Sequence, residues 1–177
     1  MGYYRFIGLF IDPEERERIK QFFEEEYAVK QLHHFRCTHV SLDTKNPDYN
    51  DIVHAETRIP AVCYATHFLF SAFMQVLKIE VPFPHKKKKL HLTLSIADNE
   101  RNPGYPVVKS HTGNAMVEDF EKMLRGRSPI FTWHDRFSIF EQSEEDDMSW
   151  RSFIELPTPL RINGTIDAYR HKTSYMY

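Results

Sequence analysis

Two tetrapeptides in this chain repeat one pattern: His39-Val40-Ser41-Leu42 and His91-Leu92-Thr93-Leu94. Each reads histidine, apolar, hydroxyl, apolar. Side chains alternate faces along a β-strand, so each histidine shares a face with the hydroxyl two positions on. Val40, Leu42, Leu92 and Leu94 then point the other way, into a core. Two such strands side by side supply a general base, a general acid and two phosphate hydrogen bonds, with no metal.

The rest of the chain reads as the frame around these strands. Tyr3 to Ile11 predicts a first strand. Asp12-Pro13-Glu14-Glu15 predicts a helix start, with Asp12 at the N-cap, Pro13 at the first helical position and Glu15 closing a capping box. Ile19, Phe22, Phe23 and Tyr27 give that helix a core-facing stripe, and it ends before Lys30. Phe35 to Asp43 is the strand of the first motif. Ile52–Ile59, Ala61–Phe70 and Phe73–Val81 read as extended pieces, with Pro60 as a boundary. Leu90 to Ala97 carries the second motif. Asp98 to Gly113 reads as a long loop. Val117, Phe120, Met123 and Leu124 mark a second amphipathic helix that ends near Gly126. Phe131–Phe140, Trp150–Leu156 and Leu160–Tyr169 predict closing strands, with Gln142 to Asp147 as an acidic hairpin loop. Asn163-Gly164 is either a hairpin turn or a bulge in the last strand. Strand, helix and motif strand read as recurring twice, which points to a duplication of halves.

The 177 residues suit one domain, and the 41% hydrophobic content supports a substantial core. A formal charge of -2 excludes a strongly basic nucleic-acid footprint. A nucleotide ligand is therefore expected to be small or short, held by local residues, and not a long duplex. Cys37 and Cys63 are the only cysteines, so there is neither a disulfide framework nor a paired-cysteine zinc site. The chain opens on a strand-like segment without a secretory signal, and no apolar run is long enough to cross a bilayer. A soluble cytoplasmic protein with no membrane partner is the expectation, and neither a cofactor nor a metal is implied.

Phosphodiester cleavage needs one group to accept a proton from the attacking hydroxyl or water and another to protonate the departing oxygen. Histidine, with an ordinary pKa of roughly 6.5, suits both tasks. Each proton transfer contributes about 10²–10⁴-fold in rate. Ser41 and Thr93 can donate to the phosphate oxygens as charge builds on them. With these motifs the chain resembles the 2H phosphoesterase superfamily, which includes 2'-5' RNA ligase-like proteins, cyclic phosphodiesterases of transfer-RNA repair, and viral enzymes that cleave immune nucleotide messengers. The opening Phe6-Ile7-Gly8-Leu9-Phe10-Ile11-Asp12 also looks like that family's first strand, as does the extension Leu94-Ser95-Ile96-Ala97 of the second motif.

The resemblance covers residues 3 to about 126, with closing strands over 129–170 in the same single domain, 1–177. It implies an α+β fold of the bilobed, pseudo-two-fold type, with antiparallel sheets around a central cleft and two main helices outside. It also implies His39 and His91 as the acid–base pair, in either order, and Ser41 and Thr93 as phosphate ligands. The two motifs are closer in sequence than in many relatives, and Ser41 stands where threonine is usual. Substrates of this chemistry are a 2',3'-cyclic phosphate or a 2'-5'/3'-5' linked oligonucleotide, including cyclic messengers. By analogy, RNA processing and viral immune evasion are the attached roles. A non-catalytic RNA or nucleotide binding module on the same fold is the alternative. A third reading makes the strand histidines packing residues.

Other residues are candidates for substrate contact. Tyr4 can stack on a base. Lys86 to Lys89 run into the second motif, and one or two of them, Lys89 first, can face a phosphate; the rest solvate a loop. Ser95 extends the second motif. His111-Thr112-Gly113-Asn114 reads as a polar loop over the site or as a helix cap, with His111 a substrate contact in the first case. His33, His34, His85 and His111 cluster in sequence near the motifs without metal-ligand spacing.

Overall fold

The computed structural model describes residues 4–27, 34–43, 58–71, 74–97, 113–114, 116–118, 120–121, 131–133, 137–140 and 151–170. The elements are β1 (Tyr4–Ile11), α1 (Pro13–Tyr27), β2 (His34–Phe35), β3 (His39–Asp43), β4 (Ile59–Phe70), β5 (Met74–Glu80), β6 (His91–Ile96), β7 (Phe131–Trp133), β8 (Phe137–Phe140) and β9 (Arg151–Arg170). Further helical turns lie within 113–121. The protein is thus α+β, built on antiparallel strands. They form one nine-stranded sheet in the order β1-β3-β6-β5-β4-β9-β8-β7, and β1 also pairs with β9. That extra pairing bends β1, β3, β6, β5, β4 and β9 into a closed, barrel-like ring, which leaves those six strands with few open edges.

The inner face is apolar. Ile7, Leu9 and Ile11 of β1, Val40 and Leu42 of β3, and Leu92 and Leu94 of β6 are all fully buried in one cluster with Ile19 and Phe23 of α1. The predicted stripe of α1 therefore faces the sheet, and Phe23 packs on Phe68 with ring centroids 4.7 Å apart. A second cluster lies apart from the first. It joins Leu69, Met74, Val76 and Phe153 of the strands to Met116, Val117 and Phe120 of the helical turns. Met123 and Leu124, predicted for the same helix, lie outside the described residues, as do the acidic loop 142–147 and most of the extended piece predicted over 52–59.

Several sequence expectations are corrected by the ladder. Pro60 lies inside β4, paired with Thr165 of β9, rather than bounding it. β5 joins β4 only from Tyr64 onward, so the missing N–H of Pro60 falls where β4 has no second neighbour. The two closing strands predicted over 150–156 and 160–169 are one strand, β9. Its Leu156-Pro157-Thr158-Pro159 segment is looped out opposite Thr66, because Ala65 pairs with Leu160 while His67 pairs with Glu155. Asn163-Gly164 makes no turn; Asn163 pairs with Val62 and Gly164 with Ala61 in the middle of β9. Glu15 does not close a capping box. Its carboxylate accepts from Arg18 at 2.9 and 2.8 Å and from the Asn163 amide at 2.9 Å, tying α1 to β9. Nor does the element order repeat among the described residues: α1 comes before the strand of the first motif, whereas the turns of 113–121 come after β6, the strand of the second.

Gly164 is required by a close approach. A Cβ there would fall 2.6 Å from the Phe10 carbonyl oxygen and on Leu9 Cδ2, where β9 crosses β1. The backbone oxygen cannot move aside. Gly164→Ala is expected to destabilise the protein by about 1–3 kcal/mol, measured by chemical denaturation, with no loss of secondary structure at low denaturant.

Candidate active site

The two motif strands are neighbours. β3 and β6 run antiparallel with Val40 opposite Leu92, both fully buried. Val40 is flanked by His39 and Ser41, and Leu92 by His91 and Thr93, so each motif turns its imidazole and its hydroxyl to the face away from the core. The regular pairing stops at this bridge on one side, where the Thr93 carbonyl accepts from the Cys37 amide at 2.9 Å. Side chains on one face of an antiparallel pair have Cβ atoms about 5–8 Å apart, and the charge of His91 reaches His39. All four residues are half-buried.

The outer neighbours of the two motif strands fall into two rows: Phe10 beside His39 and Val76 beside Thr93 in one, Gly8 beside Ser41 and Lys78 beside His91 in the other. The first row is mostly apolar: Phe10 and Val76 are buried, and the Phe10 ring centroid lies 5.6 Å from that of His39. The second is polar, and Gly8 leaves no side chain beside Ser41. Lys78 continues it to His67 of β4.

Each imidazole is oriented by a different local device. Between β2 and β3 the chain bulges. Phe35 pairs with Ser95 and Val40 with Leu92, so five steps on one strand meet three on the other. Cys37 takes a positive φ of 50° within the bulge, a conformation uncommon outside glycine. Arg16 of α1 donates from Nη2 to the Arg36 carbonyl at 2.7 Å and from Nε to the Cys37 carbonyl at 3.3 Å, while Ile11 N–H donates to the Thr38 carbonyl at 2.9 Å. The bulge ends on Thr38, whose hydroxyl lies 3.0 Å from His39 Nδ1. His91 Nδ1 instead lies 3.1 Å from the Lys89 carbonyl. A carbonyl only accepts, so Nδ1 of His91 carries the proton and Nε2 of the neutral ring is the basic nitrogen.

Both imidazoles are held toward neutrality. Burial, then the charge of His91, then that of Lys87 push His39 down to about 4. Burial and Lys87 also lower His91, but its bond to the Lys89 carbonyl opposes them by favouring the protonated ring. Lys87 is the member of the lysine run that the sequence reading did not single out. It is half-buried, its backbone N–H donates to the Leu42 carbonyl of β3 at 3.1 Å, and its charge reaches both imidazoles. Burial lowers its own pKa. The loop from Val81 to Leu90 folds back on β3, so the lysine two residues before Lys89 is the one turned inward; sequence spacing carries no sign of that fold-back. Lys89 contributes its carbonyl. Ser95, farther along β6, is buried and donates to Gln75 Oε1 at 2.6 Å. Tyr4 lies at the start of β1, opposite Arg170, and its ring is not among the described side chains. His111 and His33 lie outside the described residues.

Among the described residues, no three His, Cys, Asp or Glu side chains gather as a metal ion would need. Cys37 and Cys63 are buried free thiols, both pushed up to about 12 by burial first. No helix among them is long and apolar enough to cross a membrane. No family model matches the chain, and no curated protein matches it.

The depressed His39 links stability to pH. Its proton affinity is lower in the folded than in the unfolded chain, so the unfolded state gains protons first as pH falls. Stability from this group is complete above the unfolded value of 6.5 and declines from there to about 4. The slope is up to about 1.4 kcal/mol per pH unit. Denaturation across that range, with His39→Gln as the control, should show a shallower slope in the variant. In NMR titrations, Lys87→Met should raise the pKa of both His39 and His91.

Proposed function

We propose that this chain is a metal-independent phosphodiesterase of the 2H type, acting on a nucleotide. One observation carries the reading: the two motif strands are neighbours, joined at Val40 and Leu92, and each of these residues is flanked by a histidine and a hydroxyl residue. An antiparallel pair centred on Val40 and Leu92 has a local two-fold axis that exchanges the two motifs, in keeping with the pseudo-symmetry of the 2H fold.

The surroundings favour one division of the roles. His39, driven toward the neutral ring by Phe10, burial and the nearby cations, is the general base. It takes a proton from a water or a ribose 2'-hydroxyl as that oxygen attacks phosphorus. His91, whose cationic form the Lys89 carbonyl supports, is the general acid and protonates the departing oxygen from Nε2. A bound phosphate anion raises the proton affinity of both rings by its charge, which charges His91 when substrate arrives. Ser41 and Thr93 donate to the non-bridging oxygens, and Lys87 offsets the charge that grows there. Proton count balances: one leaves the nucleophile on His39, one leaves His91 with the product, and solvent restores the pair. Water as nucleophile opens a 2',3'-cyclic phosphate. A neighbouring 2'-hydroxyl as nucleophile cleaves a linkage and leaves a cyclic phosphate. The partner is a nucleotide or short oligonucleotide, and the chain works in the cytoplasm without a cofactor.

The test is cleavage of 2',3'-cyclic mononucleotides, 2'-5' oligoadenylates and cyclic dinucleotides in the presence of a chelator. His39→Ala and His91→Ala are each expected to lose about 10²–10⁴-fold in kcat, and Lys87→Met a smaller factor. Full activity in either histidine variant would falsify the mechanism. Binding without turnover in the wild type would favour a nucleotide binding module instead.

A further inference from the structure

The helical turns at 113–121 lie on the same face of the sheet as the motif side chains. Val76 of β5 pairs with Thr93 and so shares its face, and Val76 packs with Met116, Val117 and Phe120 in the second cluster. Phe120 is fixed by His67 of β4 at 4.7 Å and by Phe153 of β9 at 5.2 Å between ring centroids. At the other end of the turns, Gly113 meets the ring of His91 on β6. The ladder runs from His91 to Lys78 and from Lys78 to His67, which is two strands. Seven helical residues rise about 10 Å, which matches two interstrand steps of about 5 Å. The turns therefore bridge β6, β5 and β4, and Gly113 is held on His91 by a cluster that belongs to neither motif.

Backbone geometry does not call for glycine at 113, since no described glycine has a positive φ. Space does. Gly113 is buried, and a Cβ there would fall 2.5 Å from His91 Cδ2, 3.2 Å from Cε1 and closer still to Nε2. A point straight out from Nε2 in the ring plane is equally far from Cδ2 and Cε1. The unequal distances place Gly113 to one side of that line, over the Nε2–Cδ2 bond. The glycine thus braces the ring without standing on the line along which Nε2 exchanges a proton. The opposite nitrogen, Nδ1, is held by the Lys89 carbonyl at 3.1 Å.

We infer that Gly113 is a positioning residue for His91: its main chain closes one side of the imidazole and, with the Lys89 carbonyl on Nδ1, fixes the direction in which Nε2 points. A methyl group at 113 takes space that the ring occupies, so the ring must turn away from the Lys89 carbonyl or the helical turns must lift off the sheet. Either change misaims Nε2, and a misplacement of about 1 Å costs about 10²-fold in rate. The consequence for turnover rests on the phosphodiesterase reading, in which His91 protonates the departing oxygen; the brace on the ring does not.

The experiment compares the wild type with Gly113→Ala by NMR of the imidazole nitrogens, at a pH where both rings are neutral, and by kinetics on two leaving groups. One substrate is a ribodinucleotide, whose departing ribose oxygen needs a proton. The other is a nucleoside 3'-(para-nitrophenyl phosphate), whose nitrophenolate leaves without one. In the wild type His91 is expected to carry its proton on Nδ1. The variant should show a mixture of the two tautomers at His91 and no change at His39. Its kcat on the dinucleotide should fall about 10–100-fold, with KM and the rate on the nitrophenyl ester little changed. Val117→Ala adds no atom near the ring and only loosens the anchor; it should give a smaller change in the same direction, and it decides the matter if Gly113→Ala does not fold. An unchanged His91 tautomer in both variants overturns the inference. So do tautomer changes at both histidines with equal losses on both substrates, which mark general damage to the fold. A shifted His91 tautomer in a protein whose wild type turns over neither substrate upholds the brace and sinks the phosphodiesterase.

Discussion

Everything at this site depends on the register of β3 against β6. The pair Val40 and Leu92 fixes it from the core side, where both side chains are fully buried. A slip of one residue on either strand would turn a histidine and a hydroxyl into the core and an aliphatic side chain out. The penalty for such a slip is the exposure of Val40 and Leu42, or of Leu92 and Leu94, at about 1.5–3 kcal/mol for each large side chain. Burial on the opposite face thus sets which way the two motif histidines point, and the Thr38 hydroxyl and the Lys89 carbonyl orient their rings.

That register holds over a short stretch, and the bulge at 36–38 is what limits it. β2 continues the same strand, but two residues out of step with β3. The bulge frees three consecutive carbonyls from the ladder. Arg16 and the Ile11 amide take them, so α1 and β1 together hold the bulge shut. Bulges of this kind re-aim side chains next to functional sites. Here the bulge sets the Thr38 hydroxyl against His39 Nδ1.

The motif strands were legible because period-two alternation with buried aliphatics has one structural solution. The strand β1 and the stripe of α1 followed from equally local rules. What sequence did not show is non-local. Pro60 and the Pro157-Thr158-Pro159 segment carry strong breaker signals, yet the sheet accommodates them: the first lacks a neighbour on one side, and the second loops out of the ladder. Asn163-Gly164 looks like a turn, but the glycine is there for the crossing over Leu9 and Phe10. The closure of β1 onto β9 depends on partners far apart in the chain, as does the choice of Lys87 over its neighbours. Glu15 sits where a capping box needs it, and a partner from β9 takes it instead.

The two histidines carry the same motif but differ in chemistry, and the difference arises outside the motif. A neutral imidazole must place one proton on one of two nitrogens. For His91 the main-chain carbonyl of Lys89 dictates Nδ1 and also rewards a second proton on Nε2. For His39 the partner is a hydroxyl, which donates or accepts and therefore penalises the neutral ring in neither tautomer. Phe10 and the strand core then remove water from His39, and the charges of His91 and Lys87 do the rest. In the proposed reaction, a symmetric pair of strands thus acquires a direction for proton flow from one bulge and one carbonyl. Exchanging the motif residues alone would leave that direction unchanged, because neither Thr38 nor the Lys89 backbone belongs to either motif.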